Sequence, residues 1–389
     1  MQRSILFLLL ILSCFVHGRE LSQYSAIKAQ KAYQLSQDGK TGEAIRLLKN
    51  IETSRTYDKA YISRMLGIFY WQEGQVSDAI LYLKVAVHSK QLSTDIMWST
   101  EKMLADLYLN SGQYEQALSH YYSLVKVSVA KRGSDDIWLR ISQSHYQLGQ
   151  WGSVISSVNK YFKTSPKDKV QPLSLKLGAQ LELKRWHEAI PTLKSLLEIK
   201  PEKSSWWRQL ASLQVQLGKD RDAVDTLSLA KINQVELSQR DLRMLAQLYA
   251  QVGLPEKAAL EISQLDNAST DVQLLFEQAV YWQRAKEWAK AITVWSSASR
   301  YKPKYRWNLI ELLIQQQYYR EVLSVTKEIK EKPERVAIIR AEAFYKLGEI
   351  DNALREAKKA DRIEPSKISR RWIKFLSELS HESTDDGNK

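Results

Sequence analysis

Apolar and small residues recur along this chain at i, i+4 and i+7, the spacing of one face of an α-helix. Residues 335–365, RVAIIRAEAFYKLGEIDNALREAKKADRIEP, show the pattern most cleanly. Ala337, Ala341 and Phe344 mark one apolar face, and after Gly348 the residues Ala353, Ala357 and Ala360 mark another. Glycine can take the backbone conformation of a short turn, and Pro365 lacks the N–H that would carry a helix further. The pattern predicts two short helices joined by a tight turn, with small residues where they touch. Neither helix can bury its apolar face alone, so the pair needs neighbours of its own kind.

Those neighbours are present. Aligned on Ala353, equivalent positions are Ala44, Ala79, Ala117, Val154, Ala189, Ala223, Ala258, Ala291 and Val322, with successive spacings of 35, 38, 37, 35, 34, 35, 33, 31 and 31 residues. Five residues before each anchor a turn is expected, at Gly39, Gly74, Gly112, Gly149, Lys184, Gly218, Gly253, Lys286, Gln317 and Gly348. Pro166, Pro201, Pro303 and Pro365 lie twelve residues after an anchor, and Pro333 lies eleven after Val322. Within this frame, Trp138, Ile141, His145, Gly149, Trp151, Tyr161 and Pro166 form one set. Trp207, Leu210, Ala211, Gly218, Ala223, Leu227 and Ala230 form another. Leu245, Ala246, Tyr249, Gly253 and Ala258, then Ala279, Trp282, Trp288, Ala291, Ala298 and Pro303, repeat the theme.

A period of about 34 with these residue types resembles the tetratricopeptide repeat (TPR) family. The resemblance covers about residues 23–365. It implies an all-α fold, a right-handed superhelical solenoid of about ten helix-turn-helix units, occupying residues 19–365. The spacings of 38 and 37 place longer loops at residues 89–94 and 127–134, and the spacings of 31 imply shortened helices towards the C-terminus. The unit at residues 305–329 fits worst. Ser366 can start a last helix over residues 366–380 that caps the stack, followed by a flexible polar tail at 381–389.

Composition agrees with a helical, packed chain. Of 389 residues 44% are hydrophobic, too many for disorder, and 14 Gly with 8 Pro are too few for an all-β fold. Residues 1–18, MQRSILFLLLILSCFVHG, pair a positive start with an apolar run and read as a secretory signal peptide, cleaved after Gly18. The run is shorter than the ~20 residues of a membrane span. Cys14, the one cysteine, leaves a second reading open, lipidation of a lipoprotein. A mature chain without cysteine forms no disulfide and no thiolate metal site, and suits a periplasmic protein. The formal charge of +13 favours anionic partners, though most of it serves solubility. Export makes nucleic acid an unexpected partner.

No catalytic constellation emerges. The histidines at 17, 88, 120, 145, 187 and 381 form no metal-binding spacing, and GxSxG, P-loop and GxGxxG motifs are absent. An enzyme is not expected, nor a cofactor or metal. His145 falls on a packing position, Asp135-Asp136 reads as the charged start of a helix, and most of the twelve tryptophans occupy repeat packing positions. Of the pair Trp206-Trp207, Trp206 should face away from the core.

In the TPR family the first helix of each pair lines the concave side, which implies a binding stripe. Read by register, the partner-binding residues are Arg64, Trp71, Gln143, Tyr146, Gln147, Arg208, Gln216, Arg240, Arg243, Gln247, Gln251, Phe276, Gln283 and Arg284. The stripe is rich in Gln and Arg and reads as nearly free of acids before Glu311. Amides can serve a peptide backbone and arginines can grip carboxylates. The expectation is a non-enzymatic scaffold that holds an extended, partly acidic protein segment, centred on residues 208–284. The whole chain is similar to exported TPR proteins associated with TonB-type energy-transduction systems, which implies a periplasmic accessory docking membrane-complex or envelope proteins. Membrane association would then come through partners or through lipidation at Cys14. An envelope-biogenesis scaffold and an anionic-glycan binder are the alternatives.

Overall fold

The computed structural model describes residues 20–126, 134–164 and 166–385, with the side chains of 134–135 and 381–385 outside the description. The expected signal segment with Cys14, all but the last residue of the loop expected at 127–134, and residues 386–389 lie outside it. Among the described residues regular structure is all helical, twenty-one α-helices and one 3-10 turn. The chain divides into two compact units, residues 1–199 and 200–389.

The first unit holds five antiparallel hairpins. They are α1 (Gln23–Gln37) with α2 (Thr41–Lys49), α3 (Thr56–Gln72) with α4 (Val76–His88), α5 (Thr94–Asn110) with α6 (Tyr114–Lys126), α7 (Ser134–Gln147) with α8 (Trp151–Phe162), and α9 (Val170–Glu182) with α10 (Trp186–Ile199). The second unit holds five more. They are α11 (Ser204–Gln216) with α12 (Asp220–Ile232), α13 (Gln239–Gln251) with α14 (Pro255–Ser263), α15 (Val272–Arg284) with α16 (Trp288–Tyr301), α17 (Arg306–Gln315) with α18 (Tyr319–Thr326), and α19 (Pro333–Lys346) with α20 (Ile350–Ile363). The single helix α21 (Lys367–Asp385) packs on α20 and runs past residue 380, through residues expected to be tail. Within each unit, hairpins stack on their neighbours in sequence, as in an α solenoid.

The register explains why these residues fold this way. All ten anchors, from Ala44 to Ala353, have 0% exposure. All ten turn positions have positive φ, from 55° at Lys184 to 85° at Gly253. Each hairpin therefore closes through one left-handed residue, and five residues on a small side chain slots against the first helix. Gly67 shows how tight that contact is: a Cβ there would lie 2.5 Å from Leu83 Cγ. The C-terminal shortening is real, with α17 of 10 residues and α18 of 8.

The buried side chains between the helix layers form separate clusters, one running from Ala29 to Ile141 and another from Ala259 to Ala343. Phe276, Trp295 and Tyr305 form an aromatic group with centroids 5.5–5.7 Å apart. Trp207 is 6% exposed and donates its Nε1–H to Pro201 O at 2.7 Å, whereas Trp206 is only half-buried. His145 is the satisfied core histidine expected. Its Nδ1–H donates to Gln150 Oε1 at 2.6 Å and its Nε2 accepts from the Tyr122 hydroxyl at 2.8 Å. Burial pushes its pKa below the usual histidine value, keeping the ring neutral.

Two substitutions test this register. Lys286 holds φ 58° with a Cβ, so Lys286→Gly should raise the urea midpoint by the equivalent of about 0.5–1 kcal/mol. Gly67→Ala drives a methyl into Leu83 and should lower it by roughly 1–3 kcal/mol.

Candidate functional site

The stripe on the first helix of each hairpin is recessed in the first unit. Between α1 and α3 lies a pocket of ≈ 500 Å³ lined by Tyr33, Ser36, Tyr61, Arg64, Ile68 and Gln72, among others. Further along, a pocket of ≈ 350 Å³ is bounded by Trp71 of α3, Lys102, Met103, Asp106 and Asn110 of α5, and Arg140 of α7. Trp71 stays 49% exposed and Tyr33 57% exposed. Apolar rings stand open here beside polar groups, as ligand sites require.

The charges of this recess are matched within the chain. Lys102 Nζ lies 2.9 Å from Asp106 Oδ2 and 2.9 Å from Asp136 Oδ2. Arg140 Nε lies 3.8 Å from Asp106 and 3.5 Å from Asp136, and the Tyr121 hydroxyl also donates to Asp106. Asp136 sits in the first turn of α7, where its charge also suits the helix dipole. Arg64 Nε donates to Thr100 Oγ1 at 3.1 Å, and Ser36 Oγ donates to Gln72 Oε1 at 3.0 Å. Gln143 and Tyr146 are half-buried and Gln147 is exposed. The Tyr146 ring packs edge-on against Trp151 at 5.1 Å and over Gly178, where a Cβ would lie 2.7 Å from its hydroxyl.

In the second unit the expected arginine grip is engaged internally. Arg208 makes a bidentate pair with Asp241, Nε–Oδ1 2.5 Å and Nη2–Oδ2 2.8 Å. Arg243 pairs likewise with Glu277, Nε–Oε2 3.2 Å and Nη2–Oε1 2.5 Å. Arg284 Nη2 donates to Ala250 O at 3.0 Å. Phe276 belongs to the aromatic core group, and Gln283 accepts from Trp295 Nε1 at 3.2 Å. Gln216, Arg240, Gln247 and Gln251 are exposed.

The expectation of a stripe nearly free of acids is therefore corrected: Asp106, Asp136, Asp241 and Glu277 interleave with its cations. Lys102–Asp136, Arg140–Asp106, Arg208–Asp241 and Arg243–Glu277 stand 33 or 34 residues apart, one repeat along, so each of these four pairs ties one hairpin to the next, while Lys102–Asp106 and Arg140–Asp136 are pairs within one helix. Asp241 shows the electrostatics. Burial raises its carboxyl pKa, but hydrogen bonds from Arg208 and Ser238 and the Arg208 charge outweigh burial and hold it below the usual carboxylate range. The same carboxylate closes the capping box of α13 with Ser238.

The third hairpin's share of the stripe was missed in the sequence reading. Lys102 stands fifteen residues before Ala117, as Arg64 stands before Ala79, so the same register points to it. Among the described residues no group of three or more His, Cys, Asp or Glu could hold a metal, and no helix is long and apolar enough to cross a membrane.

No family model matches the chain. No curated protein matches it either. Among solved structures it is similar to a tetratricopeptide repeat protein from Parabacteroides merdae, at 16% identity and TM-score 0.33 over 63% of this chain and 99% of that one. It is also similar to the TPR domain of P58(IPK), at 16% and 0.26 over 83% and 99%. The C-terminal part of a TPR repeat-containing protein from Cytophaga hutchinsonii gives 15% and 0.39 over 70% and 95%. Likenesses this distant carry no argument about function.

Removing the guanidinium tests the inter-hairpin pairing. Arg208→Met leaves Asp241 buried beside only Ser238 and should cost roughly 1–3 kcal/mol at neutral pH. A carboxylate with a depressed native pKa contributes stability that is complete above its unfolded pKa of about 4 and is lost as pH falls through the native value. Thermal melts below pH 4 should therefore fall less steeply for Arg208→Met than for the wild type.

Proposed function

We propose that the chain is a non-enzymatic interaction scaffold of the TPR type that holds an extended segment of a partner protein along its first-helix stripe. Trp71 carries this reading. A large ring 49% exposed beside a ≈ 350 Å³ pocket, whose charged neighbours are already paired with one another, offers room for an apolar side chain and no free charge to satisfy. The binding centre accordingly lies around residues 33–140, in the first unit. The exposed Gln216, Arg240, Gln247 and Gln251 form a secondary polar track in the second unit.

The leader at residues 1–18 supports export, which puts the scaffold in the periplasm as a cleaved or lipidated protein. The similarity to exported TPR proteins beside TonB-type systems extends the proposal to the partner, a protein of an envelope energy-transduction or uptake complex.

The test is a crosslinking pull-down from native periplasm with the wild type, Trp71→Ala and the double change of Arg243 and Gln247 to Ala. Recovery of a membrane-complex protein by the wild type, reduced on the order of tenfold by Trp71→Ala, is expected for a hot-spot aromatic. Equal recovery by Trp71→Ala would remove the first-unit recess as the site. Loss only in the double variant would return the site to residues 208–284.

A further inference from the structure

A helix that ends a repeat stack normally offers solvent a polar face. The helix α21 does so opposite its seated side, where Lys367, Arg371, Lys374 and Glu378 are exposed, but not along one flank. Its inner side is well seated: Leu376 and Ser369 are 0% exposed, and Ser369 Oγ donates to Asp361 Oδ1 at 2.6 Å. That flank leaves Ile368 59% and Phe375 41% exposed, with Trp372, half-buried against the core cluster of Ala341, Ala353, Ala357 and Leu376, between them and Leu379 half-buried beyond. These four follow at i, i+4, i+7 and i+11, one continuous apolar stripe. The Phe375 ring is held in place, with edge contacts to Tyr345 at 5.3 Å and Trp372 at 6.1 Å.

The charges beside this stripe are polarised along the helix. Lys367, Arg370, Arg371 and Lys374 fill its first half. Glu378 follows in its second half. Arg371 and Glu378 are both exposed, and neither forms an ion pair among the described residues. They lie seven residues apart on one side of the stripe, with Phe375 near the midpoint. An antiparallel copy of the same helix would set each Arg371 against the other copy's Glu378, with the two Phe375 rings close to the two-fold axis. An isologous interface has this self-complementarity. An anionic membrane surface would attract the first half of α21 and repel the second, so the charge pattern selects a second copy.

We propose that α21 is a self-association surface, pairing two copies of this chain antiparallel about a two-fold axis near Phe375, with reciprocal Arg371–Glu378 ion pairs. The contact joins one helix per copy and is smaller than a standard interface, so the dimer is weak and concentration-dependent.

The experiment uses the full chain and measures mass by sedimentation over a range of concentrations. The wild type should dimerise reversibly. Arg371→Glu and Glu378→Arg alone each place like charges opposite one another twice and should weaken the dimer by on the order of tenfold or more. The combined Arg371→Glu, Glu378→Arg chain should restore it. Both positions are exposed, so circular dichroism should show every variant folded. On a Cys14→Ser background, Phe375→Cys should give a disulfide-linked dimer on mild oxidation. A wild type that stays monomeric overturns the proposal. So does a double variant as weak as the singles, or failure of Phe375→Cys to crosslink. Association of α21 variants with phosphatidylglycerol vesicles in place of a second copy would overturn it as well.

Discussion

The closest approach between the two helices of each hairpin governs everything else. One left-handed residue reverses the chain, and five residues later an alanine or valine with no exposed surface lets the second helix lie against the first. A larger side chain at that point would separate the helices and misalign the face on which the next hairpin stacks. Seven of the ten turns meet the positive-φ demand with glycine, while Lys184, Lys286 and Gln317 carry the strain of a Cβ there. The two short helices α17 and α18 flank one of the strained turns, Gln317. The repeat is thus least ideal around residues 303–329.

The fold was legible because its signal is local and repeated. Turn positions at Lys184, Lys286 and Gln317 could be placed without glycine, since anchors on both sides dictated the register. The engagement of the stripe's residues was illegible. Arg208 and Arg243 were correctly placed on the first helices, but their carboxylate partners stand a full repeat downstream. Asp241 lies near a helix start, where an acid reads as a cap, and it does cap α13 while also receiving Arg208. Only stacking brings those two roles onto one carboxylate. Lys102 and Asp106 were within reach of the same register argument and were passed over.

Net charge says little about this inner surface. The arginine-rich register suggested a stripe that grips acids, yet Lys102, Arg140, Arg208 and Arg243 are paired with Asp106, Asp136, Asp241 and Glu277. Such pairs contribute modestly to stability when exposed. Their larger effect is geometric: a bidentate arginine fixes the offset of one hairpin on the next, and with it the spacing of whatever side chains stand beside them.

Within each unit, among the described residues, every hairpin packs against its neighbours in sequence. Chains with such short-range contacts lose little loop entropy before contacts begin to form, and they fold quickly for their size. A protein delivered as a thread, N-terminus first, can therefore acquire structure two helices at a time as it emerges, each finished hairpin serving as the template for the one behind it.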